Sequence, residues 1–129
     1  MIEIIYKKES YFLTGLFFKV HDKLGRFAKE KQYCNELEKV FIENNVDYKR
    51  EYTFSKDCDE MQKGDRVDFM VYCKIIIEVK AKPLITKDDY AQTQRYLKAA
   101  NCKLGLIVNF RNNYVKPKRA LNKYCTNYI

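Results

Sequence analysis

The chain has no run of about 18 apolar residues, so no membrane-spanning helix is expected. Its N-terminal stretch, Met1 to Ser10, places charges inside the apolar positions and has no small-residue cleavage pattern. No signal peptide is read there, and a non-secreted, intracellular protein is expected. The cysteines, Cys34, Cys58, Cys73, Cys102 and Cys125, are odd in number and none forms a C-x-x-C pair. That spacing argues against a zinc ribbon and against a disulfide framework, and reduced, buried thiols are the expectation. Internal repeats, low-complexity linkers and base-reading motifs such as a helix-turn-helix or zinc finger are also missing. The last absence is one of charge: from Asn101 to Ile129 there is no Asp or Glu.

What remains in that acid-free stretch is basic. Lys103, Arg111, Lys116, Lys118, Arg119 and Lys123 lie there, in a chain whose net charge is +8. A one-signed region of this kind favours a polyanion such as nucleic acid, with an acidic protein face or simple solubility as the alternatives. The 129 residues read as one domain, 1–129, and the 47% apolar content is enough for a core.

Periodicity orders the chain. Ser10 is a candidate N-cap for a helix carrying Leu13, Leu16, Phe17, Val20 and Leu24, stopped by Gly25. A second helix is predicted from about Ala28 to Glu43, with Tyr33, Leu37, Val40 and Phe41 on one face. Tyr48, Tyr52 and Phe54 suggest a strand, and Ser55 to Gly64 a polar loop. Val67–Val71 and Ile75–Val79 are two strands joined by a turn near Cys73, and Pro83 stops the second. Thr86 or Asp88 caps a third helix running to Ala100, and Leu104–Asn109 is a last buried strand. Beyond Pro117 the pattern is weak, a short helix or strand. The order α-α-β-β-β-α-β indicates a mixed sheet flanked by helices, an α/β fold.

Nothing in hydrophobic packing asks for Glu78 and Lys80 at the end of Ile75–Ile76–Ile77. With the turn centred on Cys73, Asp68 falls opposite Glu78, Phe69 opposite Ile77 and Val71 opposite Ile75. Opposed residues share a face about 5 Å apart, and Lys80 shares that face with Glu78. Val67, Phe69, Val71, Ile75, Ile77 and Val79 then face the core. Two carboxylates so close repel unless a cation lies between them. A hard divalent ion such as Mg²⁺ suits them, and would polarise a phosphate and acidify a water. Lys80 would stabilise developing negative charge or orient that water. The competing reading is an ordinary salt bridge between Glu78 and Lys80 on a solvated strand face, with Asp68 at a turn.

The D-x(9)-E-x-K pattern of Asp68, Glu78 and Lys80 resembles the PD-(D/E)XK nuclease superfamily, with Val67 where the "PD" proline would stand. Within it, Val20–His21–Asp22–Lys23–Leu24–Gly25 and the following Glu30 and Tyr33 are similar to the GxxExxY group, although Phe27 replaces the motif's glycine. Gln92–Thr93–Gln94–Arg95–Tyr96 is similar to the superfamily's Q-x-x-x-Y helix, and Lys103 to Phe110 to its last core strand. The resemblance covers about Ser10 to Phe110. It implies a restriction-endonuclease-like core and Mg²⁺- or Mn²⁺-dependent cleavage of nucleic acid, DNA foremost. It also implies Glu30 as a third metal-binding carboxylate beside Asp68 and Glu78, and Gln92 as a residue that orients the site.

Lys82, Arg95, Lys103, Arg111, Lys116, Lys118 and Arg119 are the candidate nucleic-acid contacts, though Lys82 and Arg95 are equally well explained as solvated charges. His21 reads as packing or capping, Tyr33 and Tyr96 mainly as core, and Asp88 and Asp89 as acids at a helix start. A nuclease cutting both strands would form a homodimer. Two other functions compete: a non-catalytic nucleic-acid-binding module on the same fold, and a basic subunit that meets an acidic protein.

Overall fold

The computed structural model describes residues 4–53 and 66–125. Phe54 and the loop expected from Ser55 to Gly64 lie outside the described residues, as does Cys58. Helices α1 (Lys7–Leu24) and α2 (Glu30–Glu43) come first, followed by strands β1 (Tyr48–Tyr52), β2 (Val67–Val71) and β3 (Ile75–Lys80). Helix α3 (Lys87–Ala100) and strands β4 (Leu104–Asn109) and β5 (Lys118–Leu121) complete the order. The weak pattern past Pro117 thus resolves as a strand. The sheet runs β1-β2-β3-β4-β5, with β3 and β4 parallel and the other neighbours antiparallel. Among the described residues no helix is long and apolar enough to cross a membrane.

Each face of the sheet buries a core. Phe69, Val71, Ile75, Ile77, Val79, Leu104, Leu106 and Val108 meet α1 and α2 through Leu13, Phe17, Val20, Tyr33, Leu37 and Phe41. Met70, Ile76 and Ala120 meet Tyr96 and Leu97 of α3 on the other face. Helix α3 comes close because Gly105 has no side chain: a Cβ there would lie 2.9 Å from Cγ2 of Thr93.

Two local expectations are corrected. Helix α1 starts at Lys7, so Ser10 is inside its first turn. The Ser10 hydroxyl donates to Lys7 O (3.2 Å) and accepts from the Arg119 guanidinium (2.8 Å), a tertiary contact that periodicity does not reveal. Val67 belongs to the α3-side core, not to the face of Phe69. Across from Asp68 in β1, Glu51, between Arg50↔Phe69 and Tyr52↔Val67, is left-handed at φ 51°. Tyr52, the partner of Val67, packs on the α3 side with it.

The β2–β3 turn is built from two left-handed residues, Tyr72 (φ 55°) and Cys73 (φ 56°), and Lys74 N–H donates to Val71 O at 3.1 Å. Such a conformation costs roughly 1–2 kcal/mol per residue. Tertiary contacts offset it: Tyr72 N–H reaches Asp47 O (2.8 Å), and Lys74 pairs with Glu9 (2.7 Å).

Candidate active site

The hairpin register is Phe69↔Ile77, Met70↔Ile76 and Val71↔Ile75, which places Asp68 across from Glu78 as the sequence predicts. Beyond Phe69↔Ile77 the ladder between β2 and β3 ends, while β3 continues beside β4 through Glu78↔Ile107, Val79↔Val108 and Lys80↔Asn109. The two acids fill the gap. Val79 N–H donates to Asp68 Oδ2 (2.7 Å), and Asp68 N–H donates to Glu78 Oε1 (3.3 Å). Each carboxylate is thus held by the backbone of the other's strand. Their second oxygens, Asp68 Oδ1 and Glu78 Oε2, make no hydrogen bond among the described residues.

This arrangement is electrostatically uncomfortable. Glu78 is only 4% exposed. Burial, and then the Asp68 carboxylate, push its pKa up to about 8, against the pull of Lys80. Asp68 is also raised by burial, although Val79 N–H, Lys80 and Arg50 oppose it; Glu51 adds to the rise. Unbalanced negative charge on hard oxygen donors is what a divalent cation satisfies. Among the described residues no three His, Cys, Asp or Glu side chains form a group that could hold a metal ion. The structure therefore brings Asp68 and Glu78 together without adding Glu30 as a third ligand. Two carboxylates still suit Mg²⁺, which keeps several waters and takes further ligands from phosphate.

Glu30 stands at the rim, as the first residue of α2. The residue as a whole is exposed, yet its carboxyl is raised by burial and then by Asp68, while Lys80 and Lys82 pull it down. Tyr33 explains the E-x-x-Y spacing. Its buried hydroxyl donates to Gly25 O and accepts from Ala28 N–H (3.2 Å), and its ring stacks on Phe110 at 4.4 Å. It thereby fixes the segment that delivers Glu30. His21 stacks on Phe110 and bonds to Asn112 O (2.9 Å), a packing role.

Lys80 points to the α3 side and lies 3.9 Å from Asp89, which also pairs closely with Lys82. Despite its burial, Asp89 is held down to about 2 by Lys82 and by Thr86 N–H. As the sequence predicts, Asp89 is a helix-start acid: it forms a capping box with Thr86, the N-cap of α3. Its grip on the two lysines had no sequence signal. Asn109 is a second residue that pattern reading missed. It is buried, it accepts from the backbone of Lys82 (3.2 Å) and Arg111 (3.3 Å), and it donates to Lys82 O (2.7 Å). A polar residue ending the apolar run Leu104–Val108, as Glu78 ends Ile75–Ile77, was the available signal. Gln92 is half-buried and makes no hydrogen bond among the described residues, so the structure does not tie it to the acids. Its neighbour Gln94 is the engaged one, bonded to Leu121 O (2.7 Å) and Lys123 N–H (3.1 Å).

The basic candidates are dispersed. Arg119 is spent on α1, donating to Ser10 Oγ (2.8 Å) and to Ile5 O. Arg111 donates to Ala81 O (3.3 Å), next to Lys80. Arg95 lies over Tyr96 at 5.4 Å, and Lys103 is half-buried. Lys116 and Lys118 are exposed. Lys118 pairs with Ile107, which pairs with Glu78, so it shares the acid's face two strands away, about 10 Å.

No curated protein and no solved structure matches this chain. A family model does, over residues 7–121, from the first turn of α1 to the end of β5. By that match, with the acid pair at the splayed end of its β2–β3 hairpin, the chain belongs to the PD-(D/E)XK nuclease superfamily and has its restriction-endonuclease-like α/β fold.

Proposed function

We propose that this protein is a Mg²⁺- or Mn²⁺-dependent nuclease that hydrolyses phosphodiester bonds of DNA, and that it is of the GxxExxY type. The observation that carries the reading is the reciprocal bonding of Asp68 and Glu78, which leaves one oxygen of each unengaged beside Lys80. Asp68 and Glu78 would hold the cation, with Glu30 acting through water from the rim. A cation held there would neutralise phosphate charge and acidify a water. Lys80 steadies the negative charge that develops on the phosphate and orients the attacking water. Asp89 keeps Lys80 turned towards the α3 side. Asn109 ties the ends of β3 and β4, so the lysine rides on a fixed strand. Gln92, half-buried on α3, would meet the substrate from that helix.

The test is a cleavage screen over linear, nicked, branched and single-stranded DNA and RNA with Mg²⁺ and Mn²⁺. Asp68→Ala should abolish turnover, and Lys80→Ala should lower it by roughly 10²–10³-fold, both with folded circular dichroism spectra. A parent protein that cuts nothing, or variants that cut equally well, would sink the mechanism. A second reading is a non-catalytic nucleic-acid binder on the same fold. Calorimetric titration with Mg²⁺ separates the two, since a pure binder shows no uptake that depends on Asp68.

A further inference from the structure

Phe27, where the chain departs from the GxxExxY pattern, is 74% exposed. Two cations lie close to its ring: the Arg26 guanidinium is 4.8 Å from the ring centroid and that of Arg111 is 5.6 Å from it. Both arginines are anchored to the backbone. Arg26 Nε donates to Arg111 O (2.8 Å), and Arg111 donates to Ala81 O (3.3 Å). Neither pairs with a carboxylate among the described residues. Arg111 Nε is buried without a hydrogen-bond partner. The supporting segment is itself fixed, because the Tyr33 hydroxyl bonds to Gly25 O and Ala28 N–H on either side. The position is informative as well. Phe27 precedes Glu30 by three residues, and Arg111 touches the residue that follows Lys80. The aromatic is thereby linked through the chain to the rim acid and through Arg111 to the end of the strand that carries the lysine.

A mostly exposed aromatic ring held beside two unneutralised cations suits a ligand with both a π-face and anionic groups. We propose that Phe27, Arg26 and Arg111 form a subsite for an unpaired nucleobase and its flanking phosphates. The base stacks on Phe27, and the guanidiniums hold the phosphates on either side. A base inside a duplex hides both faces against its neighbours, so the subsite selects single-stranded, frayed or bulged nucleic acid. The inference rests on the nuclease reading for its substrate but is tested by binding alone.

The experiment is fluorescence anisotropy in chelator, with a labelled oligonucleotide presented single-stranded or as a blunt duplex, in DNA and RNA forms. Phe27→Ala and Phe27→Leu should each lower the single-strand affinity, and the ratio of single-strand to duplex affinity, by roughly 5- to 100-fold. Phe27→Trp should restore both. Arg26→Gln and Arg111→Gln should each reduce the salt slope by about 1. Unaltered single-strand binding by Phe27→Ala, equal weakening towards single strand and duplex, or a parent protein that ignores single strands would each overturn the proposal. Selective binding through Phe27 by a protein that cuts nothing supports this subsite and removes the nuclease reading. Cleavage that depends on Lys80, beside a silent Phe27→Ala, does the reverse.

Discussion

At the scale of a single residue, Glu78 makes the stability of the metal-free protein fall as pH rises. Burial, and then Asp68, raise its carboxyl to about 8, while the unfolded chain loses that proton in the ordinary carboxylate range, near pH 4.3. Between those two values the folded state holds a proton that the unfolded state has released, so stability falls as pH rises. The penalty is absent below the ordinary range and complete above about pH 8. In chelator, the melting temperature should therefore decline from about pH 5 to about pH 8, and Glu78→Gln should flatten the decline and melt higher than the parent at the alkaline end. Calorimetry across that range checks it; a Glu78→Gln profile parallel to the parent's would refute the assignment. The acid pair was legible in the sequence because charge at the end of an Ile-Ile-Ile strand is anomalous. Asp89 was not, because a helix-start acid already has a sufficient local explanation, and only the fold brings Lys80 and Lys82 to it.

The elements were read well where one period dominates. The hairpin register, the buried faces of α1 and α2, and the course of α3 and β4 all follow from spacing. The misses share a different origin: the Ser10 hydroxyl serves a residue 109 positions away, and Val67 packs with Tyr96 and Leu97 of α3. Long-range contacts leave no local period. The contact of α3 with β4 is a case with a measurable cost. Gly105→Ala would press a methyl group onto Thr93 Cγ2 at 2.9 Å, destabilising the protein by about 1–3 kcal/mol. Thr93→Ser removes that carbon and should recover much of the loss in the double variant, as read by urea unfolding. Additive losses would show that the crowding lies elsewhere.

Across the whole molecule, net charge proved a poorer guide than the position of each cation. The acid-free C-terminal stretch suggested one binding surface, yet Arg119 is consumed in joining β5 to the start of α1. Lys118 faces the acid side of the sheet instead. Their variants should consequently separate. Arg119→Ala should cost about 1–3 kcal/mol and speed amide exchange in the first turn of α1, with the salt slope of nucleic-acid binding unchanged. Lys118→Ala should leave stability within about 0.5 kcal/mol of the parent and lower that slope by about 1. A reversed pattern would show that Arg119 reaches phosphate after all.

The turn that joins β2 to β3 offers a practical handle. Cys73 is exposed there, whereas burial lifts the Cys34 thiol to about 12 and the Cys102 thiol to about 11, which keeps both protonated and slow to react. A nitroxide attached to Cys73 would sit in the turn, two residues before β3 begins and at most about 17 Å from Glu78. That is far enough to leave the chemistry undisturbed and near enough for paramagnetic Mn²⁺ to alter its relaxation. The hairpin would then serve as a built-in ruler, reporting occupancy of the acid pair in solution before any substrate is known.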